Sequence, residues 1–99
     1  MAYQLIFRPG KSEPERTERL TPPTLAEMQE AVGGLIQGAC ELHVDGLKAQ
    51  VWVDEEGLLK ANPKTNIALM EWLSRHGIRL HQPLVGPALV LVGRKALSR

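Results

Sequence analysis

The feature that most constrains the fold is an unbroken apolar run at residues 84–92, which reads Leu-Val-Gly-Pro-Ala-Leu-Val-Leu-Val. The run is too short to cross a bilayer as a helix, since a spanning helix needs about 20 apolar residues. Its Val and Leu content, together with the closing Gly93, is typical of a strand that is buried on both faces. We therefore expect this segment to fix the position of the core.

Length and composition predict one domain that spans residues 1–99. The chain has 99 residues, of which 43% are hydrophobic, as in ordinary globular domains. Cys40 is the one cysteine, so an internal disulfide is excluded and a reducing compartment is favoured. The N-terminal sequence lacks the layout of a signal peptide. We expect a cytoplasmic protein that has no membrane partner.

Extended segments separated by turn residues predict a sheet of about five strands. The segments lie at residues 3–8, 15–20, 35–44, 49–53 and 58–60, in addition to the apolar run. The segment at 15–20 is charged, which suits an edge strand because charges at an edge discourage unwanted pairing. Asp45-Gly46 is typical of a two-residue hairpin turn.

A first helix is predicted after the Thr-Pro-Pro sequence at residues 21–23. Thr24 and Glu27 have the spacing of a capping box, in which each side chain accepts a hydrogen bond from the backbone of the other residue. Gly33-Gly34 ends the helix, because glycine adopts the left-handed conformation at little cost. One apolar stripe of this helix is expected to face the core, and it contains Leu25, Met28 and Val32.

A second helix is predicted at residues 66–76, with Thr65 or Asn66 as its N-cap and Gly77 at its end. Together with the strands, the two helices predict an α+β fold. We expect a mixed or antiparallel sheet of about five strands, with both helices packed on one face.

The charges divide unevenly along the chain. Residues 1–56 hold ten acidic and five basic side chains, whereas residues 57–99 hold one acid, Glu71, and seven bases. Such a bias either marks an anionic partner or lets the basic half neutralise the acidic half in the folded domain. The net charge of only +1 argues against nucleic acid as the partner.

No constellation of residues predicts catalysis, a metal site or a cofactor. The acidic turn at residues 54–56 is interpreted as a solvated hairpin turn, because hard cations need several convergent oxygen ligands. His43, His76 and His81 lack the spacing of zinc sites, and Cys40 with His43 forms half a site at most. We therefore expect a protein that is not an enzyme.

Trp52 is the aromatic residue whose position bears most directly on function. The segment at residues 49–53 alternates, which puts Trp52 and Gln50 on the face opposite Val51 and Val53. If the helices cover one face only, Trp52 lies on the open face, where it can stack on a base or anchor a partner. If the second helix covers that face, Trp52 belongs to the core.

Four short motifs follow one another along the chain. They are Ala-Val-Gly-Gly-Leu-Ile at residues 31–36, Val-Asp-Glu-Glu-Gly-Leu-Leu-Lys at 53–60, Asn-Pro at 62–63 and Leu-Val-Gly-Pro-Ala-Leu-Val at 84–90. Together they resemble a small domain-of-unknown-function family of phages and plasmids, over about residues 25–93. The resemblance implies an accessory protein of a phage or mobile element that acts in a bacterial cytoplasm, and it implies no catalytic residues.

The leading hypothesis is a non-enzymatic binding protein, homo-oligomeric, that engages a host or defence component. A second hypothesis is a module that sequesters an anionic small molecule such as a nucleotide, because Arg and Lys supply charge-assisted hydrogen bonds. A weak nucleic-acid-binding protein comes third, and a hydrolase comes last. The candidate binding residues are Trp52, Asn62, Lys64, Asn66, Arg75 and Arg79.

Overall fold

The computed structural model describes residues 2–57, 64–80 and 82–93. Its elements, in chain order, are β1 (Ala2–Phe7), β2 (Glu15–Arg19), α1 (Leu25–Val32), β3 (Ile36–Val44), β4 (Leu47–Asp54), α2 (Ile67–Arg75) and β5 (Ala88–Val92). The predicted α+β class is confirmed. The predicted extended segment at 58–60 lies outside the described residues, and in the part of the chain described here no helix is long and apolar enough to span a membrane.

The five strands form one antiparallel sheet in the order β2-β1-β5-β4-β3. The last strand in the sequence, β5, therefore lies in the middle of the sheet. All five residues of β5 are buried, as the apolar run predicted. The charged strand β2 lies at one edge, as expected, and β3 lies at the other edge.

The apolar run becomes a strand only in its last five residues. Val85 forms an isolated bridge with Thr65, and Gly86 donates its N–H to a backbone carbonyl of the same neighbouring segment. Pro87 has no N–H and cannot contribute a donor to a strand ladder. Val85 and Gly86 therefore pair with the segment that leads into α2, and β5 begins only at Ala88.

The two helices pack on opposite faces of the sheet, so the prediction that both lie on one face is wrong. α2 contributes Leu69 and Leu73 to one core cluster, whereas α1 contributes Met28 and Val32 to the other. Along β5 the side chains alternate between these clusters: Ala88, Val90 and Val92 join α2, and Leu89 and Leu91 join α1. The physical reason is that a central strand with no polar side chain needs cover on both of its faces.

Local capping chemistry fixes both ends of α1, as predicted. The Thr24 hydroxyl accepts from the Glu27 N–H at 3.2 Å, and the Glu27 carboxylate accepts from the Thr24 N–H at 2.8 Å. Gly33 ends the helix in the left-handed conformation, with φ of 80°. Gly34 is needed for a different reason, because a Cβ at this position would lie 2.8 Å from the Asp54 carboxylate.

The helix α1 covers only part of its face of the sheet. It has eight residues, which gives a length of about 12 Å. Met28 and Val32 are buried, but Leu25, predicted to lie with them, is 54% exposed.

Asn66 fixes the start of α2 and joins it to two other parts of the fold. Its Oδ1 accepts from the Leu69 N–H at 3.3 Å, so Asn66, and not Thr65, is the N-cap. Its Nδ2 donates to the carbonyls of Phe7 and Gly86, at 2.8 Å each. The side chain has no exposed surface. One buried amide therefore connects β1, α2 and the segment before β5.

A tight hairpin connects β3 to β4. Asp45 and Gly46 have φ values of 52° and 80°. Positive φ at both central residues is the signature of a type I′ turn, whose twist suits a pair of antiparallel strands. The hairpin predicted from the Asp-Gly sequence is confirmed.

Candidate functional site

A cavity of about 230 Å³ lies between β3 and β4 at the edge of the sheet, lined by residues 38–41 and 50–52. A larger cavity of about 410 Å³ lies between β1 and α1. The two arginines of the larger cavity are engaged in ion pairs, Arg8 with Glu15 at 2.9 Å and Arg19 with Glu27 at 3.4 Å. The smaller cavity is the candidate site, because it is lined by residues whose buried polar atoms have no partner.

A β-bulge in β3 shapes this cavity. Gly38 pairs with Trp52, and Cys40 pairs with Val51, so Ala39 is an extra residue with no counterpart on β4. A bulge of this kind reverses the alternation of side chains along its strand. Before the bulge the even-numbered residues of β3, such as Gly38, face α1, whereas after it the odd-numbered residues, such as Glu41, do.

The bulge decides which side chains of β3 meet Trp52. Beyond it, Glu41 opposes Gln50 and Leu42 opposes a residue of the α2 core. The pairs Gly38–Trp52 and Glu41–Gln50 then share the face on which α1 packs. If Ala39 paired regularly with Val51, Glu41 would oppose Ala49 and point into the α2 core, where an unpaired carboxylate is costly.

Gln50 is the most informative residue of the cavity. Only 6% of it is exposed, and its Nε2 donates to the Glu41 Oε2 at 3.1 Å. Its Oε1 is buried and has no hydrogen-bond partner among the described residues. An unsatisfied buried group of this kind costs about 1–3 kcal/mol, so it calls for an explanation.

Trp52 carries a second buried polar atom without a partner, the indole Nε1. Its ring packs partly against the cluster formed by Met28 and Val32, so α1, and not α2, covers this residue. The six-membered ring extends over Gly38, where a Cβ would lie 3.6 Å from Cζ3. The site thus combines a donor, an acceptor and an aromatic surface in two residues two positions apart on one strand.

Glu41 is the charged residue among those that line the cavity, and Lys48 lies beside it. The Lys48 Nζ lies 3.7 Å from the Glu41 Oε2, and both side chains are about half exposed. Burial raises the pKa of the Cys40 thiol above its ordinary value of 9.0. The thiol therefore stays protonated at neutral pH, where a protonated thiol is a poor nucleophile.

Trp52 is the member of the predicted binding set that lies in this cavity. Lys64, Arg75 and Arg79 are exposed and belong to α2 and its flanking segments, and α2 packs on the face opposite Trp52. The Asn66 amide is used entirely in internal hydrogen bonds and has no surface for a ligand. Asn62 lies outside the described residues. Of the described members of the set, the structure therefore brings Trp52 alone to this cavity.

The histidines do not join the cavity. His43 is exposed on β3, and the His76 Nδ1 lies 2.8 Å from the Trp72 carbonyl, beside α2. His81 lies outside the described residues. Within the described ranges no group of three His, Cys, Asp or Glu side chains is close enough to hold a metal ion.

Sequence reasoning missed Gln50, Gly38 and Glu41 as members of a site. One signal was present, because Gln50 is a polar residue on the same strand face as Trp52. A second signal was the glycine inside an otherwise extended segment, which is typical of a bulge. The pairing of Glu41 with Gln50 depends on that bulge and had no signal of its own.

The fold and the cavity define a small α+β domain, built on a central antiparallel sheet, with a polar cavity beside an edge strand. The sequence matches the family described as Domain of unknown function (DUF3846) over residues 2–96. The chain belongs to this family. Searches among curated proteins and among solved structures gave no match.

Proposed function

We propose that this protein is a non-enzymatic binding protein that holds its target at the cavity between β3 and β4. The observation that carries the proposal is the cavity itself, which lies beside the β-bulge of β3 and has Trp52 and the hydrogen-bonded pair of Glu41 and Gln50 in its lining. Bulges are over-represented next to functional sites, where they re-aim side chains. Tryptophan is among the residues that most often anchor a bound partner.

The chemistry of the cavity supports binding over catalysis. The residues that line it are Gly38, Ala39, Cys40, Glu41, Gln50, Val51 and Trp52. General acid–base or nucleophilic catalysis needs a nucleophile within reach of a base. The thiol here has a raised pKa, and the carboxylate of Glu41 is already engaged with Gln50 and Lys48.

The family resemblance extends the proposal to a biological setting. We place the protein among accessory proteins of phages or mobile elements, homo-oligomeric and acting in a bacterial cytoplasm on a host or defence component. An anionic target such as a nucleotide phosphate is less well supported. The basic side chains Lys64, Arg75 and Arg79 belong to the α2 side of the fold, whereas a carboxylate stands at the cavity.

Native mass spectrometry of the protein purified from a bacterial host background tests the proposal. We expect a co-purifying mass with the wild-type protein that is lost with Trp52→Phe and with Gln50→Met. Trp72→Phe is the matched control, because Trp72 packs beside α2, with its ring 5.6 Å from that of Phe7. A co-purifying mass that both cavity variants retain, or none from any host background, contradicts the proposal.

A further inference from the structure

We infer that the outer edge of β2 is a dimer interface, along which a second copy of this chain adds its own β2 antiparallel, about a two-fold axis at Thr17. The interface lies at the edge of the sheet opposite that of β3. The inference deepens the proposed function, because it rests on the homo-oligomer named there and gives that oligomer its contact surface.

The outer edge of β2 is open to a further strand. β2 pairs with β1 on one side, and within the described residues no strand pairs with its other side. Residues 15–18 are all exposed. An edge strand presents a row of backbone N–H and C=O groups on which a strand of another chain can pair. The β3 edge is less suited to this, because the bulge at Ala39 interrupts the regular ladder.

The sequence of β2, Glu-Arg-Thr-Glu-Arg, is complementary to itself in charge. In an antiparallel pair centred on Thr17, Glu15 of one copy faces Arg19 of the other. Arg16 faces Glu18 in the same way, and the two Thr17 side chains face each other. Opposite charges and pairs of threonines at facing positions both stabilise antiparallel strands. All the facing positions along β2 therefore favour this pairing.

The same charges reject the neighbouring registers. Sliding one strand by one residue places Glu15 opposite Glu18, or Arg16 opposite Arg19. Sliding it by two residues places Arg16 opposite Arg16, or Glu18 opposite Glu18. Parallel pairing in register places every charge opposite its own copy. Because like charges at facing positions destabilise a strand pair, β2 discourages these arrangements and admits the one centred on Thr17.

The ion pair within β2 is compatible with this dimer. Arg16 and Glu18 oppose Leu5 and Tyr3 of β1, which belong to the α2 core, so both charges lie on the α2 face. The Arg16 Nε lies 2.8 Å from the Glu18 Oε2, and more than half of each side chain is exposed. A second copy brings the same pair in the opposite order, so that the four charges alternate in sign. Surface ion pairs contribute most when they form such a network.

Leu20 is an independent observation in favour of the same interface. It follows β2 and is 98% exposed, more than the other large hydrophobic side chains in the described ranges. When the register centred on Thr17 is extended by one residue, Leu20 of one copy faces Pro14 of the other. This contact takes an apolar side chain out of water at both ends of the interface, which favours association.

Sedimentation velocity over a range of protein concentrations tests the interface. We expect a monomer–dimer equilibrium with a dissociation constant on the order of 10 µM, because a contact of this length is small for a specific interface. Arg16→Glu places a glutamate opposite Glu18 at two positions, and it is expected to raise the dissociation constant about tenfold or more. Arg79→Glu is the matched control, because it makes the same charge change at an exposed residue outside β2 and should dimerise as the wild type does.

Complementation between two variants distinguishes lost pairing from lost folding. Glu18→Arg is also expected to fail to dimerise, because the new arginine faces Arg16. In an equimolar mixture of Arg16→Glu and Glu18→Arg, each acid at these positions faces an arginine of the other chain. We therefore expect the mixture to form a heterodimer, and the double variant Arg16→Glu/Glu18→Arg to regain the homodimer. Chains that fail to fold could do neither.

The outcomes separate this interface from the cavity of the proposed function. A wild-type protein that stays monomeric up to about 1 mM overturns the interface. A dimer that tolerates Arg16→Glu, or a mixture of the two single variants that stays monomeric, overturns it as well. None of these results affects the cavity, which lies between β3 and β4 and is tested by co-purification. A wild-type dimer without a co-purifying mass contradicts the proposed target and supports the interface.

Discussion

The two faces of the sheet solve the burial problem in different ways. On the α2 face, apolar side chains close around Leu69 and Leu73, and the buried amide of Asn66 makes three hydrogen bonds. On the α1 face, a short helix leaves part of the sheet uncovered, and the buried polar atoms of Gln50 and Trp52 have no partner. The buried amide on the α2 face thus has hydrogen-bond partners, whereas two buried polar atoms on the α1 face do not.

The largest effect on the free energy of unfolding is expected on the α2 face, where the polar groups of Asn66 have partners. Asn66→Ala is expected to lower the free energy of unfolding by about 4 kcal/mol. About 1 kcal/mol is the lost N-cap, and about 1.5 kcal/mol falls to each of the two backbone carbonyls left without a donor. Urea denaturation followed by circular dichroism measures the change. Asn66→Ser keeps an acceptor for the N-cap and should recover about 1 kcal/mol; a loss below about 1 kcal/mol in the alanine variant would show that the amide network is not what stabilises this face.

The attachment of α1 should show a smaller effect. Gly34→Ala is expected to cost about 2 kcal/mol, because the new Cβ would lie within 2.9 Å of the Asp54 carboxylate, which also accepts from the Glu56 N–H. Gly33→Ala is the matched control, with open space around it and only its positive φ to oppose the substitution, at about 1 kcal/mol. Thermal unfolding compares the two. Equal losses would mean that Gly34 is not required for the close approach.

On the α1 face, a substitution at Gln50 is expected to leave the stability nearly unchanged. Gln50→Met replaces a buried amide by an apolar side chain of similar size, and its stability should change by less than about 0.5 kcal/mol or increase. The same variant is expected to lose target binding. Urea denaturation is again the measurement, and a loss of more than about 1 kcal/mol would show that Gln50 is a structural residue and would dissolve the contrast between the faces.

The smallest effect concerns the charge at the start of α1. The hydrogen bond from the Thr24 N–H lowers the pKa of the Glu27 carboxyl below its ordinary value of 4.5, and Arg19 adds to this. Because the folded pKa is lowered, the stabilisation is complete above pH 4.5 and is lost as the pH falls through the folded pKa. Thr24→Pro, which removes the N–H, should raise the pKa more than Thr24→Ala does, as measured by NMR titration. The reverse order would assign the shift to the hydroxyl.

The sequence was sufficient for the local structure of this fold. Thr24, Glu27 and Gly33 define α1 through neighbouring atoms only, and Asp45-Gly46 defines its hairpin in the same way. The apolar run predicted a strand buried on both faces, which β5 is. That property already requires cover on both sides, so the placement of both helices on one face conflicted with the strongest signal in the chain.

The candidate site depended on features that periodicity does not carry. Trp52 was singled out from its strand, but its cover by α1 follows from the packing of distant segments. The meeting of Glu41 with Gln50 depends on register across two strands and on one extra residue. The basic residues after residue 56 drew attention as a group, yet Arg75 and Arg79 are surface residues on the α2 side. The number of basic residues in a segment of the sequence does not show whether they lie close together in the fold.

The central position of β5 has a consequence for biosynthesis. During translation β1 and β2, and later β3 and β4, emerge before the strand that joins the two pairs. Until β5 emerges, β1 and β4 each have one edge without a strand partner, and each helix lacks part of the sheet surface that it packs on. Folding of this domain is therefore expected to complete only after β5 has left the ribosome, so a chain truncated before residue 88 should remain open to chaperones and proteases.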